Sequence, residues 1–180
     1  HGGNPINAIY EYMILVQPSA KEFQTTLNSK TPVYTVLQQD STAHIVFDHE
    51  TKTTGYVLFE SGKVKSDALL VTETNLPCLI MSEELAKNKY NLSICDPDLR
   101  FYEGPSDEVY DTDGKRIERS VYSRKWIENE SGISKVQVKL RGKWKILVPN
   151  KFVKLVNSDN YETTIEATCQ HGMSREIVLA

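Results

Sequence analysis

Four histidines and three cysteines are the residues of this 180-residue chain best suited to chemistry. Imidazole titrates near neutral pH, and a thiolate is a nucleophile and a metal ligand. The nearest approach of the two types is Cys169-Gln170-His171, but Gly172 follows it between two strand-like runs, so His171 reads as a turn residue. His44 and His49 flank an expected hairpin, and no second Cys/His pair stands at zinc-finger spacing. The carboxylates offer little more. Asp111-Thr112-Asp113-Gly114 is faintly similar to a calcium loop but lacks the third acidic position and a terminal bidentate Glu at the right spacing. Asp96-Pro97-Asp98 is a turn by composition. Paired carboxylates for glycosidase work abound, yet none is set apart by an apolar setting. Phosphate-cradling Gly-rich loops and dinucleotide fingerprints are absent from the sequence. Asn91-Leu92-Ser93 and Asn129-Glu130-Ser131 are acceptor sequons of a kind that chance supplies often. No active centre emerges from residue types alone.

Charge is more informative. From Lys115 to Lys154 there are 12 Lys and Arg against 3 Asp and Glu, a balance of +9; the remaining residues hold 9 against 21, or −12. A sequence pI near 5.8 thus conceals a basic segment. Within it Lys135, Gln137, Lys139 and Arg141 alternate with Val136, Val138 and Leu140. A period of two sends the bases to one face of a strand and the apolar residues to the other. A three-residue turn at Arg141-Gly142-Lys143 is expected to set Lys139 opposite Lys145 and Leu140 opposite Trp144. Like charges placed so cost stability unless solvent or an anion compensates them. Tyr122, Trp126 and Trp144 lie beside bases, a combination that suits sugar rings and sulfates, although all three suit a core as well and the alternation of Trp144 reads first as burial.

The elements that must position these residues are strands. Val, Ile and Thr number 41 residues against 7 Ala, which favours half-buried pleated surface over long helices. Strand-like runs separated by turn signals recur about every ten residues, the spacing of a sandwich or barrel. They fall near Ala8–Gln17, Val33–Gln39, His44–Asp48, Gly55–Glu60, Asp67–Thr72, Cys78–Met81 and Tyr90–Cys95. Further runs lie near Val121–Ile127, Val136–Leu140, Trp144–Val148, Thr163–Cys169 and Glu176–Leu179. Asp113-Gly114 predicts a two-residue hairpin turn between Glu108–Tyr110 and Arg116–Arg119. Ser19-Ala20-Lys21-Glu22 has the form of a capping box opening a short helix that runs to about Leu27, followed by a linker at Asn28–Pro32.

The overall arithmetic agrees with an ordinary globular domain. The chain is 39% hydrophobic and 25% charged, with a mean hydropathy of −0.41. Its longest apolar run, Tyr12–Val16, is far short of a membrane span. Three widely spaced cysteines, Cys78, Cys95 and Cys169, do not make a disulfide framework and read as buried thiols, although one pair is able to bridge. A start at His1 reads as a processed product or a fragment, in which a missing front half can carry the chemistry.

The order of motifs along the chain resembles the late segment of polysaccharide lyase family 8. The opening His1-Gly2-Gly3-Asn4-Pro5, Ala8 and Tyr10-Glu11-Tyr12-Met13 are similar to the strand that closes that family's large central β-domain. Tyr34-Thr35-Val36-Leu37, His44-Ile45-Val46, Thr54-Gly55-Tyr56 and Leu79-Ile80-Met81 after Pro77 continue the resemblance, specifically to its bacterial chondroitin sulfate ABC type. Pro97-Asp98-Leu99, Gly142-Lys143-Trp144 and Arg175-Glu176-Ile177 complete it. Glu103 to Arg124 fits least and reads as an insertion.

The resemblance implies an antiparallel β-sandwich over residues 32–180, preceded in residues 1–31 by the last strand or strands of a central β-domain and a linker. It implies a large secreted or periplasmic enzyme that cleaves glycosaminoglycans by β-elimination. In such an enzyme a base takes the C5 proton of the uronic acid, and cationic or hydrogen-bonding groups stabilise the enolate-like intermediate. That machinery, a Tyr/His/Arg-centred set, lies in a helical toroid and central β-domain before this chain begins, and none of it maps onto residues here. The chain alone is therefore expected to be inactive. Its expected partners are the rest of the parent lyase and sulfated glycosaminoglycan, held at Lys139, Arg141, Lys145 and Trp126. No nucleic acid, membrane span or cofactor is expected in this chain, and nothing in it speaks to a divalent cation in the parent. The competing reading is a free-standing carbohydrate-binding or adhesion module.

Overall fold

A computed structural model of the chain describes residues 11–66, 68–99, 109–110, 112–117 and 132–180. Two compact units divide at Val33/Tyr34. In the first, helix α1 (Ala20–Leu27) starts as its sequence predicts: the Ser19 side chain accepts from the Glu22 amide at 3.2 Å and Glu22 Oε2 accepts from the Ser19 amide at 2.8 Å. This reciprocal pair satisfies two amide donors that a helix start otherwise leaves open. The strand expected over Ala8–Gln17 does not form in residues 11–17, and residues 8–10 lie outside the described residues. A strand needs a partner edge, and among the described residues none pairs with this stretch.

The second unit is a pair of antiparallel sheets. Its strands are β1 (Tyr34–Gln39), β2 (Ala43–Asp48), β3 (Thr53–Leu58), β4 (Gly62–Lys63), β5 (Val71–Thr74), β6 (Cys78–Ala86) and β7 (Lys89–Cys95). After these come β8 (Val109–Tyr110), β9 (Arg116–Ile117), β10 (Ser134–Arg141), β11 (Ile146–Val148), β12 (Val153–Ser158), β13 (Glu162–Cys169) and β14 (Arg175–Leu179). Among the described residues one sheet has seven strands in the order β1-β2-β3-β6-β7-β14-β11, the other five in the order β12-β13-β10-β5-β4. The strands β8 and β9 form a small separate hairpin, with Tyr110 opposite Arg116 and Gly114 at φ +77° near its tip. The expected run at Val121–Ile127 lies outside the described residues, as do Tyr122 and Trp126.

Period-two alternation fills the space between the sheets. Ile45, Tyr56, Ile80, Leu92, Ile94, Ile177 and Leu179 point inward from the seven-stranded sheet, and Val71, Val136, Val138, Leu140, Ile165 and Ala167 from the five-stranded one. Burying each large apolar side chain contributes about 1.5–3 kcal/mol. Cys78 and Cys169 join this core as free thiols, as does the half-buried Cys95 at its margin. Three strands depart from the expected set. Strand β5 starts only at Val71, since residues 68–70 form a turn where the run Asp67–Thr72 is expected. Strand β4 is only two residues long, and β12 runs along a sheet edge with a bulge between Leu155 and Asn157 that breaks its alternation.

Candidate functional site

The basic segment begins on β10, where the alternation is as its sequence predicts. Val136, Val138 and Leu140 are fully buried, while Lys135, Gln137, Lys139 and Arg141 face out. The outward residues meet carboxylates. Lys139 Nζ lies 3.1 Å from Glu73 Oε2 on β5. Gln137 Nε2 donates to Glu166 Oε2 at 2.9 Å, and Lys154 Nζ from β12 pairs with Glu166 Oε1 at 2.9 Å. Gln137 and Lys154 hold the Glu166 carboxyl below its usual pKa. This face is therefore a lattice of neighbouring opposite charges, and its lysines are partly neutralised before any ligand arrives.

The hairpin expected at Arg141-Gly142-Lys143 does not form. Both edges of β10 are occupied, by β13 on one side and β5 on the other, so Leu140 lies opposite Thr163 and Val71 rather than Trp144. With no free edge to return to, the chain crosses to the other sheet. There Lys145 exchanges backbone hydrogen bonds of 2.8 and 3.0 Å with Ala180, and Ile146 pairs with Leu179. Lys145 consequently shares no sheet face with Lys139, and the single strip of Lys139, Arg141 and Lys145 is replaced by two separate surfaces.

The crossover itself is tightly held. Gly142 takes φ +85°, a conformation that favours glycine, and its amide donates to Tyr161 O at 2.7 Å. The buried Thr163 hydroxyl donates to Gly142 O at 2.8 Å and accepts from the Trp144 amide at 2.9 Å. Trp144 Nε1 donates to Arg141 O, and its ring meets Tyr90 edge-on with centroids 5.4 Å apart. Trp144 is thus half-buried and structural. Around it Arg141, Lys143 and Lys145 are exposed, and Tyr161 is 85% exposed. Arg141 Nε donates to Leu69 O at 3.1 Å, which anchors its guanidinium at this corner. Asp159 lies close enough for Lys143 to help depress its pKa, after the larger effect of the Tyr161 and Glu162 amides. Lys143 and Tyr161 were not singled out by sequence. Their exposure depends on the sheet switch, which no local pattern announces.

Exposed Arg and Lys on a turn whose backbone is bonded to that of an exposed tyrosine are of the residue types suited to hold an anionic sugar. The described histidines and cysteines have structural surroundings of their own. His49 Nε2 lies 2.8 Å from Thr35 Oγ1, and its ring meets Phe47 edge-on. His44 packs edge-on against Phe59, and His171 occupies a turn at φ +61°. Burial pushes the Cys78 thiol up to about 12, and raises Cys169 and Cys95 as well, which keeps all three protonated near neutral pH. Among the described residues no three His, Cys, Asp or Glu side chains converge on a metal-sized space. No described helix is long and apolar enough to cross a membrane.

Residues 35–99 match the polysaccharide lyase family 8 C-terminal beta-sandwich domain. The chain is 42% identical over 179 residues to a chondroitin sulfate ABC exolyase of Bacteroides thetaiotaomicron, covering 99% of this chain and 17% of that protein. It is 36% identical over 149 residues to a chondroitin sulfate ABC exolyase of Proteus vulgaris, covering 83% of this chain and 14% of the relative. The structure of a Streptomyces coelicolor A3 chondroitin AC lyase superposes with a TM-score of 0.56 at 10% identity, over 91% of this chain and 17% of the other. At that identity the likeness concerns the fold alone. The chain spans about a sixth of the length of these relatives.

Proposed function

We propose, for a chain that carries the C-terminal β-sandwich of polysaccharide lyase family 8, that it serves a chondroitin or dermatan sulfate lyase as a structural and substrate-supporting part. The observation that carries this reading is 42% identity maintained over 179 residues with the Bacteroides exolyase. The reaction is β-elimination at a uronic acid, with proton abstraction at C5 and stabilisation of the enolate by residues outside this chain. The parent enzyme is secreted or periplasmic, where its polymeric substrate is found. Within the chain, the crossover corner with Arg141, Lys143, Lys145 and Tyr161 contributes weak, salt-sensitive affinity for the sulfated polymer. Lys139, paired with Glu73, contributes less.

The test uses a chimera in which this chain replaces the matching 179 residues of the Bacteroides exolyase. The chain alone should yield no unsaturated uronate from chondroitin sulfate, and the chimera should yield it. Turnover by the chain alone, or an inert chimera, overturns the reading. Replacing Arg141, Lys143 and Lys145 by Gln should bring the chain off a chondroitin sulfate column at lower salt; unchanged elution removes the corner from the proposal.

A further inference from the structure

The two sheets present contrasting outer faces. That of the five-stranded sheet carries Lys135, Lys139, Lys154, Glu73 and Glu166, much of it ion-paired. Among the described residues, the central outer face of the seven-stranded sheet carries no lysine, arginine or carboxylate; its one titratable group is His44, opposite Val57. Val57 lies opposite Leu79, Gly55 lies between Val46 and Met81, and Phe59 continues the patch beyond Val57. These five apolar side chains are 37–56% exposed. Contiguous apolar surface of this kind, rimmed by polar residues, marks an interaction site. The rim is acidic: Asp48 and Glu83 flank one side, and Glu176 lies along the next strands.

A second observation points the same way. Gly55 sits in the middle of β3, where glycine weakens a strand, yet its backbone is not in the left-handed region and no atom lies within 4 Å of where a Cβ would be. Among the described residues, nothing gives a reason for a missing side chain there. Glycine inside a strand commonly marks a close approach by another backbone.

Resting on the function proposed above, we infer that this face docks a neighbouring domain of the same lyase polypeptide, through an apolar patch flanked by Lys or Arg, with a partner segment seated over Gly55. Relatives carry about five-sixths of their length outside the region matched here, which supplies the occupant. A neutral patch inside an acidic rim sets the complementary charge.

The experiment compares the chain with the chimera described above. Gly55→Val should raise the melting temperature of the isolated chain, since a β-branched residue replaces glycine in open space, and should lower that of the chimera by about 4 °C or more. Met81→Lys should leave the isolated chain within about 2 °C and lower the chimera likewise. The opposite signs for Gly55→Val are the diagnostic result. Chimera values that follow those of the isolated chain overturn the inference, as does a chimera whose sandwich melts separately at the isolated chain's temperature. An isolated chain that sediments as a dimer and becomes a monomer with Met81→Lys also overturns it, assigning the face to a second copy. Lyase activity of the chimera judges the functional reading separately, because the melting comparison does not require turnover.

Discussion

Replacing Thr163 by Val tests whether the sheet-to-sheet crossover is held by one hydroxyl. The substitution keeps the shape of the side chain and removes the group that donates to Gly142 O, accepts from the Trp144 amide and bonds Ser158 Oγ at 2.9 Å. Thr163 is fully buried, whereas Gly142, Trp144 and Ser158 are half-buried. A deprived buried polar group costs about 1–3 kcal/mol, and partial access to water puts each of these three near the lower end, about 3 kcal/mol together. The added methyl recovers about 0.8 kcal/mol at most, leaving a net loss of about 2 kcal/mol. For a chain of this length, that lowers the melting temperature by about 4–8 °C. Urea unfolding followed by circular dichroism, with a shared m-value, reads the difference. Thr163→Ser, which retains the hydroxyl and loses a methyl, should cost no more than half as much. A Val variant within about 0.5 kcal/mol of the parent, or a Ser variant as unstable as Val, would refute the account.

Two further outcomes follow from groups already described. Glu166 has its pKa lowered by Gln137 and Lys154, so its contribution is present above the unfolded value of 4.5 and is lost as pH falls through the lower folded value; urea melts from pH 7 to pH 3 should show a smaller acid loss in Glu166→Gln, and parallel curves would contradict the pairing. Cys78 and Cys169, buried and protonated, should resist iodoacetamide at pH 8 until the fold opens, whereas Cys95 should label first; rapid labelling of Cys78 would contradict its pKa of about 12.

What was legible depended on how local the cause was. The capping box at Ser19 and Glu22 is settled within four residues, and it forms as read. Alternation from Lys135 to Arg141 likewise revealed which side chains face inward. The path after Arg141 was not legible, because a Gly between two bases suits a hairpin whenever a strand edge is free, and here β13 and β5 occupy both. β12 escaped notice because its bulge interrupts the pattern along Leu155, Val156 and Asn157. The apolar outer face had a signal that is ambiguous in one dimension. Gly55-Tyr56-Val57-Leu58-Phe59 and Cys78-Leu79-Ile80-Met81 are apolar on both faces, which reads as deep burial. In the structure one of those faces is open.

The place of β14 in its sheet has a consequence for synthesis. Strands β1, β2, β3, β6 and β7 pair as near neighbours in sequence, but β14 then fills the position between β7 and β11. Until the ribosome has released Arg175–Leu179, the Leu92 and Ile94 strand has an unsatisfied border, and Ile146 has nothing to pair with. Closure must therefore await a late segment joined across more than eighty residues to its partner, a slow step with a high loop-closure cost. During that interval the nascent sheet is a template for any other extended chain, so its vulnerability to aggregation should peak just before its final strand emerges.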